Sequence, residues 1–332
     1  MEQRPRHGID EDLAEIVGNW GMGALLEARQ PDTGTVNRTV ELMTDQGRFV
    51  LRGYRHLKSE PITREHRVIA HVRSQGMPAV APIPLPGGDA LLELDGRYYS
   101  LFPWAAGRQV RREDIGPDEA AAMGACLARL HVALSTFPVD QVPIPRRAAS
   151  FSRDATLGSI DELEAKIGDA VLTDPLASTV LERLAGQRAY VARLADGGLG
   201  TGAALPAQVV HGDFQDTNLF FEGGAITGII DWDQTHLAAR ASEIIRTFDL
   251  VFGFEQERCL QFSRAYRAEQ PLALEELDAA AAAYDIKAAH GLWVYEELYV
   301  HGNRRVARFL EGSGPFLPPA ERWAHARAAC VP

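Results

Sequence analysis

Three side chains that carry oxygen atoms, Asp213, Asn218 and Asp231, have the types and the spacing of a site for metal-assisted chemistry. Hard cations such as Mg²⁺ are held by carboxylate and amide oxygens. Phosphoryl transfer needs such a cation and also a carboxylate that orients the attacking hydroxyl and accepts its proton. Two carboxylates and one amide suit both tasks, and we interpret the loop 211–218 as a candidate catalytic loop.

The segments around these residues predict a β-hairpin that brings two of them together. Residues 219–221 form a short apolar strand, the glycines at 223–224 allow the positive φ angles of a tight turn, and residues 225–230 run back. In an antiparallel hairpin, residues at similar distances from the turn are neighbours. We therefore expect Asn218 and Asp231 to lie side by side as a clamp for a divalent cation.

The chain carries an H-G-D-x-x-x-x-N loop that begins at His211 and a D-W-D triplet that ends at Asp233. Together these motifs resemble the catalytic centre of the aminoglycoside phosphotransferase superfamily, which shares the protein-kinase fold and also includes choline kinases and type II homoserine kinase-like enzymes. The resemblance implies that Asp213 is the catalytic base and that Asn218 and Asp231 bind the metal. It implies structural roles for His211, which would brace the loop, and for Asp233.

Three residues at two sites depart from the commoner pattern of this family. Gln215 and Asp216 stand where a His-Pro pair is often found. Arg52 stands where the family usually has a lysine that pairs the α- and β-phosphates of the nucleotide, and this variant resembles the homoserine kinase-like branch. Arginine still supplies a fixed positive charge and a forked group suited to phosphate.

The nucleotide phosphates are expected near a hairpin in the N-terminal part of the chain. Alternating residues predict strands over 39–44 and 49–52. Gly34, in the turn before the first strand, could let backbone N–H groups approach the phosphates. Arg52 ends the second strand and is expected to point into the cleft. The alternatives are an ordinary glycine turn and an exposed strand arginine.

A helix is expected from Pro61 to about Gly76, with Thr63 as its N-cap. Glu65 shares one face of this helix with the apolar residues four and seven positions later. A carboxylate on a buried face calls for a cation, and Arg52 is the candidate partner. The alternative is a solvated glutamate.

Two further segments complete the predicted N-terminal structure. Strands over 91–94 and 97–102 surround Asp95-Gly96, a strong signal for a hairpin turn, and give an antiparallel sheet. A helix is expected over 9–26, without a function that can be assigned to it.

The segment 102–107 breaks the strand pattern. By the family resemblance it is the hinge whose backbone meets adenine, with Phe102 and Trp104 as candidate nucleotide contacts. We place the lobe boundary here, between an N-terminal nucleotide-binding lobe, residues 1–102, and a C-terminal catalytic and substrate-binding lobe, residues 103–332.

The patterns beyond the hinge are mainly helical. Glu243 follows the catalytic motifs where many relatives carry aspartate, and Tyr295 and Glu296 lie among aromatic and acidic residues near the C-terminus. These three residues are candidates for binding a small-molecule hydroxyl substrate that is cationic or bears an amino group. The alternative is a core stripe with a solvated acidic face.

The composition, with 46% hydrophobic and 24% charged residues among 332, is that of an ordinary soluble globular protein. No apolar run could span a bilayer and the first residues lack a signal-peptide pattern, so we expect a cytoplasmic protein without membrane contact. The net charge of −11 argues against nucleic acid as a partner. The three scattered cysteines indicate neither a disulfide framework nor a zinc site.

These observations predict an α+β, bilobal, protein-kinase-like fold with a small N-terminal lobe built on an antiparallel sheet and a larger, mainly helical C-terminal lobe. The expected function is ATP- and Mg²⁺-dependent phosphorylation of a small-molecule hydroxyl group, homoserine kinase-like or aminoglycoside phosphotransferase-like. The alternatives are a weakly active, pseudokinase-like nucleotide-binding module and a metal-dependent phosphoesterase, which would usually hold two metal ions. The acceptor, the choice between ATP and GTP, and the oligomeric state stay open.

Overall fold

A computed structural model describes residues 7–30, 37–54, 58–143, 152–168, 173–194, 205–310 and 313–331. The strands in these ranges are β1 Leu25–Arg29, β2 Arg38–Thr44, β3 Gly47–Tyr54, β4 Leu92–Leu94, β5 Arg97–Pro103, β6 Ala207–Val210, β7 Leu219–Glu222, β8 Ala225–Ile229 and β9 His236–Ala239. The α-helices are α1 His7–Gly18, α2 Ser59–Ser74, α3 Pro117–Ser135, α4 Arg153–Gly168, α5 Ala177–Val191, α6 Arg240–Leu250, α7 Gln256–Glu269, α8 Leu274–Ala289, α9 Trp293–Tyr299 and α10 Pro319–Arg327.

The first five strands form one antiparallel sheet in the order β1-β2-β3-β5-β4. Because side chains alternate along a strand, Val40, Leu51 and Leu101 point to one side, where they are register partners and are buried. Trp20, which follows α1, packs into the same core and donates its indole N–H to the carbonyl of Ile83 at 2.9 Å. This sheet carries the strand that ends near Arg52.

One local prediction in this region is confirmed and another is wrong. The turn residues Asp95 and Gly96 have φ angles of 50° and 70°, as a tight hairpin requires. The helix expected over 9–26 is wrong in its second half, because α1 ends at Gly18 and a strand begins at Leu25. The residues of β1 include good helix formers, but pairing with β2 overrides that local preference.

Helix α2 begins earlier than predicted. Its N-cap position is Lys58, and Thr63 lies in the second turn, where its hydroxyl donates to the carbonyl of Glu60 at 3.0 Å. The prediction of Thr63 as N-cap is therefore wrong. Pro61 is tolerated within the first turn because N–H groups there have no intrahelical acceptor. The helix buries one face, composed of Ile62, Glu65, Val68, Ile69 and Val72.

The predicted catalytic hairpin is present as β7 and β8. Leu219 pairs with Ile229, and the turn glycines Gly223 and Gly224 have φ angles of 58° and 79°. Strand β6 precedes the loop that leads into β7. It pairs with β9, a strand that the sequence analysis did not predict.

The later part of the chain is mainly helical. Helices α4, α5 and α9 share an apolar core, whose buried members are Ile160, Leu163, Ile167, Ala177, Val180, Leu184, Leu292, Tyr295, Leu298, Val306 and Leu310. All three cysteines are buried and unbridged. Within the described ranges, no helix combines the length and the apolar character needed to cross a membrane.

The chain divides into two compact units. The first contains the five-stranded sheet and α2 together with the candidate catalytic loop and its hairpin, and comprises residues 1–111, 132–142 and 211–235. The second comprises residues 112–131, 143–210 and 236–332. The lobe boundary that we place at 102/103 stays a prediction.

Candidate active site

Two amide side chains hold Asp213 in place. Gln215 Nε2 and Asn218 Nδ2 both donate to its Oδ2, at 2.9 and 2.8 Å. The same Asn218 nitrogen donates to the backbone carbonyl of Asp213 at 2.8 Å. Hydrogen bonds to an ionised acceptor are stronger than those between neutral groups. The loop itself therefore sets the orientation of the carboxylate, as a general base requires.

His211 is fully buried and joins the loop to the end of β8. Its Nδ1 accepts the backbone N–H of Asp213 at 3.2 Å, so the proton of the neutral ring lies on Nε2, which donates to the carbonyl of Ile230 at 3.0 Å. The ring also meets Trp232 edge-on, with 4.5 Å between centroids. These are the contacts of a residue that braces the loop.

Asn218 and Asp231 are neighbours, as the hairpin register predicts. The backbone N–H of Ile230 donates to the carbonyl of Asn218 at 3.0 Å, directly before Asp231. Asp231 has a φ of 63°, a left-handed conformation that is uncommon outside glycine and that aspartate and asparagine tolerate better than most residues. Such a conformation costs on the order of 1–3 kcal/mol and is concentrated at functional sites.

Arg52 is the cation at the centre of this cluster. Its Nη1 donates to Glu65 Oε1 at 3.1 Å, and its Nη2 donates to Asp231 Oδ1 at 3.0 Å and to Asp233 Oδ2 at 3.2 Å. The predicted pair of Arg52 with Glu65 is thus present, whereas its bonds to the two aspartates were not predicted. The exposed side-chain fractions are 4% for Glu65, 13% for Arg52 and 41% for Asp231.

Burial and the neighbouring charges shift several pKa values in this cluster. Burial raises the pKa of Glu65 to about 7, although Arg52 acts in the opposite direction. Burial and then Asp231 raise the pKa of Asp233. Burial disfavours the charged form of Arg52, but the carboxylates around it raise its pKa above the ordinary value. At neutral pH the guanidinium is therefore charged.

Asn218 and Asp231 fit the ligand set of a Mg²⁺ ion that is shared with a substrate. Among the described residues, no group of three or more histidine, cysteine, aspartate or glutamate side chains is arranged to hold a metal alone. Mg²⁺ is usually bound by one or two carboxylates and completes its shell with phosphates and water. Because the Asn218 nitrogen is engaged by Asp213, its oxygen is the atom suited to a cation.

The aromatic candidates for nucleotide contact lie at the end of β5. Phe102 meets His66 edge-on, with 6.4 Å between ring centroids. The backbone N–H of Trp104 donates to the carbonyl of Arg48 at 3.1 Å, and the Arg48 guanidinium lies 3.7 Å from the centroid of the indole. Gly34, the remaining nucleotide candidate, lies outside the described residues.

The segment after β5 is bound closely to the catalytic hairpin. Arg108 and Phe221 exchange backbone hydrogen bonds of 3.0 and 2.8 Å, and the Thr227 hydroxyl donates to the carbonyl of Ala106 at 2.8 Å. Gly107 has a φ of 86°, and a Cβ atom there would lie 2.5 Å from the Phe221 carbonyl oxygen. Only glycine suits both the conformation and the close approach.

Glu243, one of three candidates for substrate binding, belongs to a buried polar network. Its Oε2 lies 2.9 Å from His131 Nε2, and His131 Nδ1 lies 2.8 Å from the Tyr266 hydroxyl. Glu243 and His131 are 4% and 1% exposed. Breaking a buried pair by removing one partner is costly, so this network ties α3, α6 and α7 together.

The other two candidates differ from each other in environment. Tyr295 is buried, and its hydroxyl accepts a bond from Arg183 Nε at 3.1 Å. Glu296 lines an open cavity of about 420 Å³ together with His290 and Trp293. Glu296 therefore borders a cavity that could receive a ligand.

Two polar residues near the charged cluster had no role in the sequence analysis. Gln215 was noted only as a departure from the family pattern, although its position two residues after Asp213 places an amide within reach of the carboxylate. Asn37 also faces Arg52, and its amide oxygen, once turned toward the guanidinium, accepts bonds from Nη2 and Nε at 2.8 and 3.1 Å. No local signal identifies Asn37, because its partner lies on the next strand.

Homoserine kinases are among the known proteins with similar sequences. A homoserine kinase of Methylobacillus flagellatus is 26% identical over 271 residues, which cover 80% of this chain and 78% of that protein. Another, of Methylobacterium nodulans, is 29% identical over 224 residues, which cover 67% of this chain and 64% of that protein.

Solved structures of low sequence identity show the fold. A spectinomycin phosphotransferase in complex with ADP and spectinomycin aligns over 96% of this chain and 98% of its own, with a TM-score of 0.65 and 12% identity. An amicoumacin kinase in complex with AMP-PNP and Ca²⁺ aligns over 93% and 95%, with a TM-score of 0.62 and 15% identity. The α+β, protein-kinase-like fold class is confirmed. Because residues 27–284 also match the family model described as the phosphotransferase enzyme family, this chain belongs to that family.

Proposed function

We propose that this protein is a kinase that uses Mg²⁺ and ATP to phosphorylate the hydroxyl group of a small, amino-bearing molecule of the homoserine type. The observation that carries the proposal is the joint arrangement of an oriented carboxylate, Asp213, with the adjacent Asn218 and Asp231 and the cation Arg52. The homoserine kinases among the similar sequences support this acceptor class.

The roles follow from the chemistry of each group. Asp213 would orient the acceptor hydroxyl and take its proton, with Gln215 and Asn218 holding the carboxylate in position. Asn218 and Asp231 would hold Mg²⁺, which supplies charge neutralisation at the transferring phosphate. Most of the rate enhancement would come from positioning and electrostatic stabilisation, since no covalent intermediate is needed.

The nucleotide would be bound by the unit that contains the five-stranded sheet. Arg52 carries the fixed positive charge suited to phosphate oxygens, and Glu65 holds its guanidinium from the buried side. Phe102 and Trp104 would lie at the hinge near adenine, with Gly34 near the phosphates. We place the enzyme in the cytoplasm, where ATP is available.

A panel of acceptors tests the proposed function directly. ADP release would be measured with Mg²⁺ and ATP against homoserine, choline, an aminoglycoside and 4-hydroxybutyrate, which keeps the hydroxyl and carboxylate of homoserine but lacks its amino group. We expect homoserine to exceed 4-hydroxybutyrate by about 100-fold in kcat/KM, because a lost charged contact of ~2–3 kcal/mol corresponds to that factor. Replacing ATP by GTP in the same assay determines the donor.

Two outcomes would contradict the proposal. Tight ATP binding without ADP release for any acceptor would indicate the pseudokinase-like alternative. Release of phosphate from phosphoesters without ATP would indicate the phosphoesterase. The Asp213→Asn variant is the control in both cases, since a reaction that persists unchanged in this variant does not use the proposed base.

A further inference from the structure

The guanidinium of Arg52 divides its bonds between two groups of carboxylates. Within the part of the chain that the structure describes, Nη1 binds Glu65, whereas Nη2 binds Asp231 and Asp233. Asp231 is also the residue that the proposed function assigns to Mg²⁺. One side chain of the protein therefore binds a carboxylate oxygen that the metal would need.

The two groups of carboxylates differ in their access to solvent. The side chain of Glu65 is 4% exposed, which makes it a buried anchor on α2, whereas that of Asp231 is 41% exposed and that of Asp233 is 19% exposed. An incoming cation can thus reach Asp231 without first displacing Glu65. When a cation binds Asp231, the bond from Nη1 to Glu65 would remain, whereas the bond from Nη2 to Asp231 would break.

We infer that Arg52 is the resident counter-cation of the metal site, which holds Asp231 in the metal-free protein and yields this carboxylate to Mg²⁺ as the nucleotide binds. The inference rests on the proposed function. On release, the position on Nη2 that Asp231 occupied becomes available to a phosphate oxygen, while the bonds of Nη1 to Glu65 and of Nη2 to Asp233 keep the guanidinium in place. Arg52 and Mg²⁺ therefore compete for Asp231 when no nucleotide is present and act together when it is.

The forked geometry of arginine suits this exchange better than lysine would. Arginine presents separate nitrogen donors in a fixed plane, so one can stay bonded while another changes partner. A lysine ammonium is a single point charge and would have to leave one carboxylate group to serve the other. The need for two independent donors thus explains why arginine, rather than lysine, stands at this strand position.

The test uses Arg52→Met and measures Mg²⁺ binding with and without nucleotide. Mg²⁺ affinity is obtained from the shift of the thermal unfolding midpoint across a MgCl₂ titration at constant ionic strength. Without nucleotide we expect the variant to bind Mg²⁺ about tenfold more tightly than the wild type, because a competitor worth ~1.4 kcal/mol is removed. With ATP present, we expect Mg·ATP to bind about tenfold more weakly, because a phosphate contact of ~1.4 kcal/mol is lost.

Two further variants keep this test decisive. Arg67→Met removes the same charge from an exposed position on α2, where Arg67 contacts Gln141, and should change neither affinity. The double variant Arg52→Met with Glu65→Gln also removes the most buried of the three carboxylates that bind Arg52, so it serves if the single variant does not fold, and the same tighter Mg²⁺ binding is expected. Mg²⁺ affinity that is unchanged or weaker in the folded variants would overturn the inference. Wild-type protein that fails to bind Mg·ATP at all would instead contradict the proposed function.

Discussion

At the scale of single residues, Asp213 illustrates how a loop can keep a carboxylate, here the proposed base, in one orientation. Gln215 and Asn218 both donate to the same oxygen, Oδ2, and Asn218 also binds the backbone of Asp213. A carboxylate held in this way does not have to search for its reactive rotamer, which is an entropic advantage in catalysis. Gln215, which stands where the family often has histidine, thus helps to hold the proposed base.

The variant Asp213→Asn tests the role of this carboxylate. We expect turnover to fall about 10³-fold, the range typical of a lost general base, while folding and Mg·ATP affinity stay nearly intact because the side-chain shape is kept. ADP release measures turnover, and calorimetry measures the affinity. Turnover within about threefold of wild type, less than ~1 kcal/mol of barrier, would contradict the assignment. Gln215→Ala should give a smaller loss, since Asn218 still holds the carboxylate.

At the scale of elements, the catalytic hairpin depends on the segment that follows β5. The backbone pair between Arg108 and Phe221 brings Gly107 so close to the Phe221 carbonyl that a Cβ atom has no room. The same segment contains the predicted adenine-binding hinge. A shift of this backbone would therefore move both the hairpin that carries Asp231 and the proposed nucleotide contacts.

A comparison of Gly107→Ala with Gly88→Ala separates the stability cost of a steric clash from that of backbone strain. Both glycines have positive φ angles, 86° and 96°, but a Cβ at Gly88 meets nothing within 4 Å. We expect Gly88→Ala to cost about 1 kcal/mol from the left-handed conformation alone. Gly107→Ala should cost about 2–4 kcal/mol and raise the KM for ATP, since the collision adds to the strain. Equal unfolding midpoints for the two variants would show that the hairpin accommodates the methyl group easily.

At the scale of the whole molecule, the buried charges make stability depend on pH. Burial raises the pKa of Glu65 to about 7, above its ordinary value of 4.5. A group with a raised folded-state pKa stabilises the fold below its unfolded pKa, and this stabilisation is lost as pH rises through the folded pKa. His66 acts in the opposite direction, since burial and then Arg52 lower its pKa to about 4. The two effects partly cancel in the wild type.

The variant Glu65→Gln isolates the contribution of Glu65. We expect the stability of the variant relative to the wild type to rise between about pH 4.5 and pH 7, by up to about 3 kcal/mol, because the wild type must ionise a buried carboxyl over that range. Thermal unfolding without metal or nucleotide at a series of pH values measures the difference. A constant difference over the whole range would show that Glu65 titrates near its ordinary pKa when folded.

Much of the candidate site could be predicted from the sequence because its geometry is local. Asn218 and Asp231 are joined by one short hairpin, so its turn glycines and strand alternation suffice to predict that they are neighbours. The turn at Asp95 and Gly96 is local for the same reason. The pair of Arg52 with Glu65 could also be predicted from the sequence, because a carboxylate on an apolar helix face requires a cation.

Only the tertiary structure decided which residues from distant segments of the chain are in contact. The bonds from Arg52 to Asp231 and Asp233 span 179 and 181 residues of sequence, and no local pattern encodes such a separation. Strand β9 exists through its pairing with β6, and β1 exists through its pairing with β2 against the helical preference of its own residues. The sequence by itself determined the chemical groups of the candidate site and their local spacing. Long-range packing decided which cation faces the carboxylates. The physical reason is that the energy of an ion pair depends on distance and burial in the folded chain.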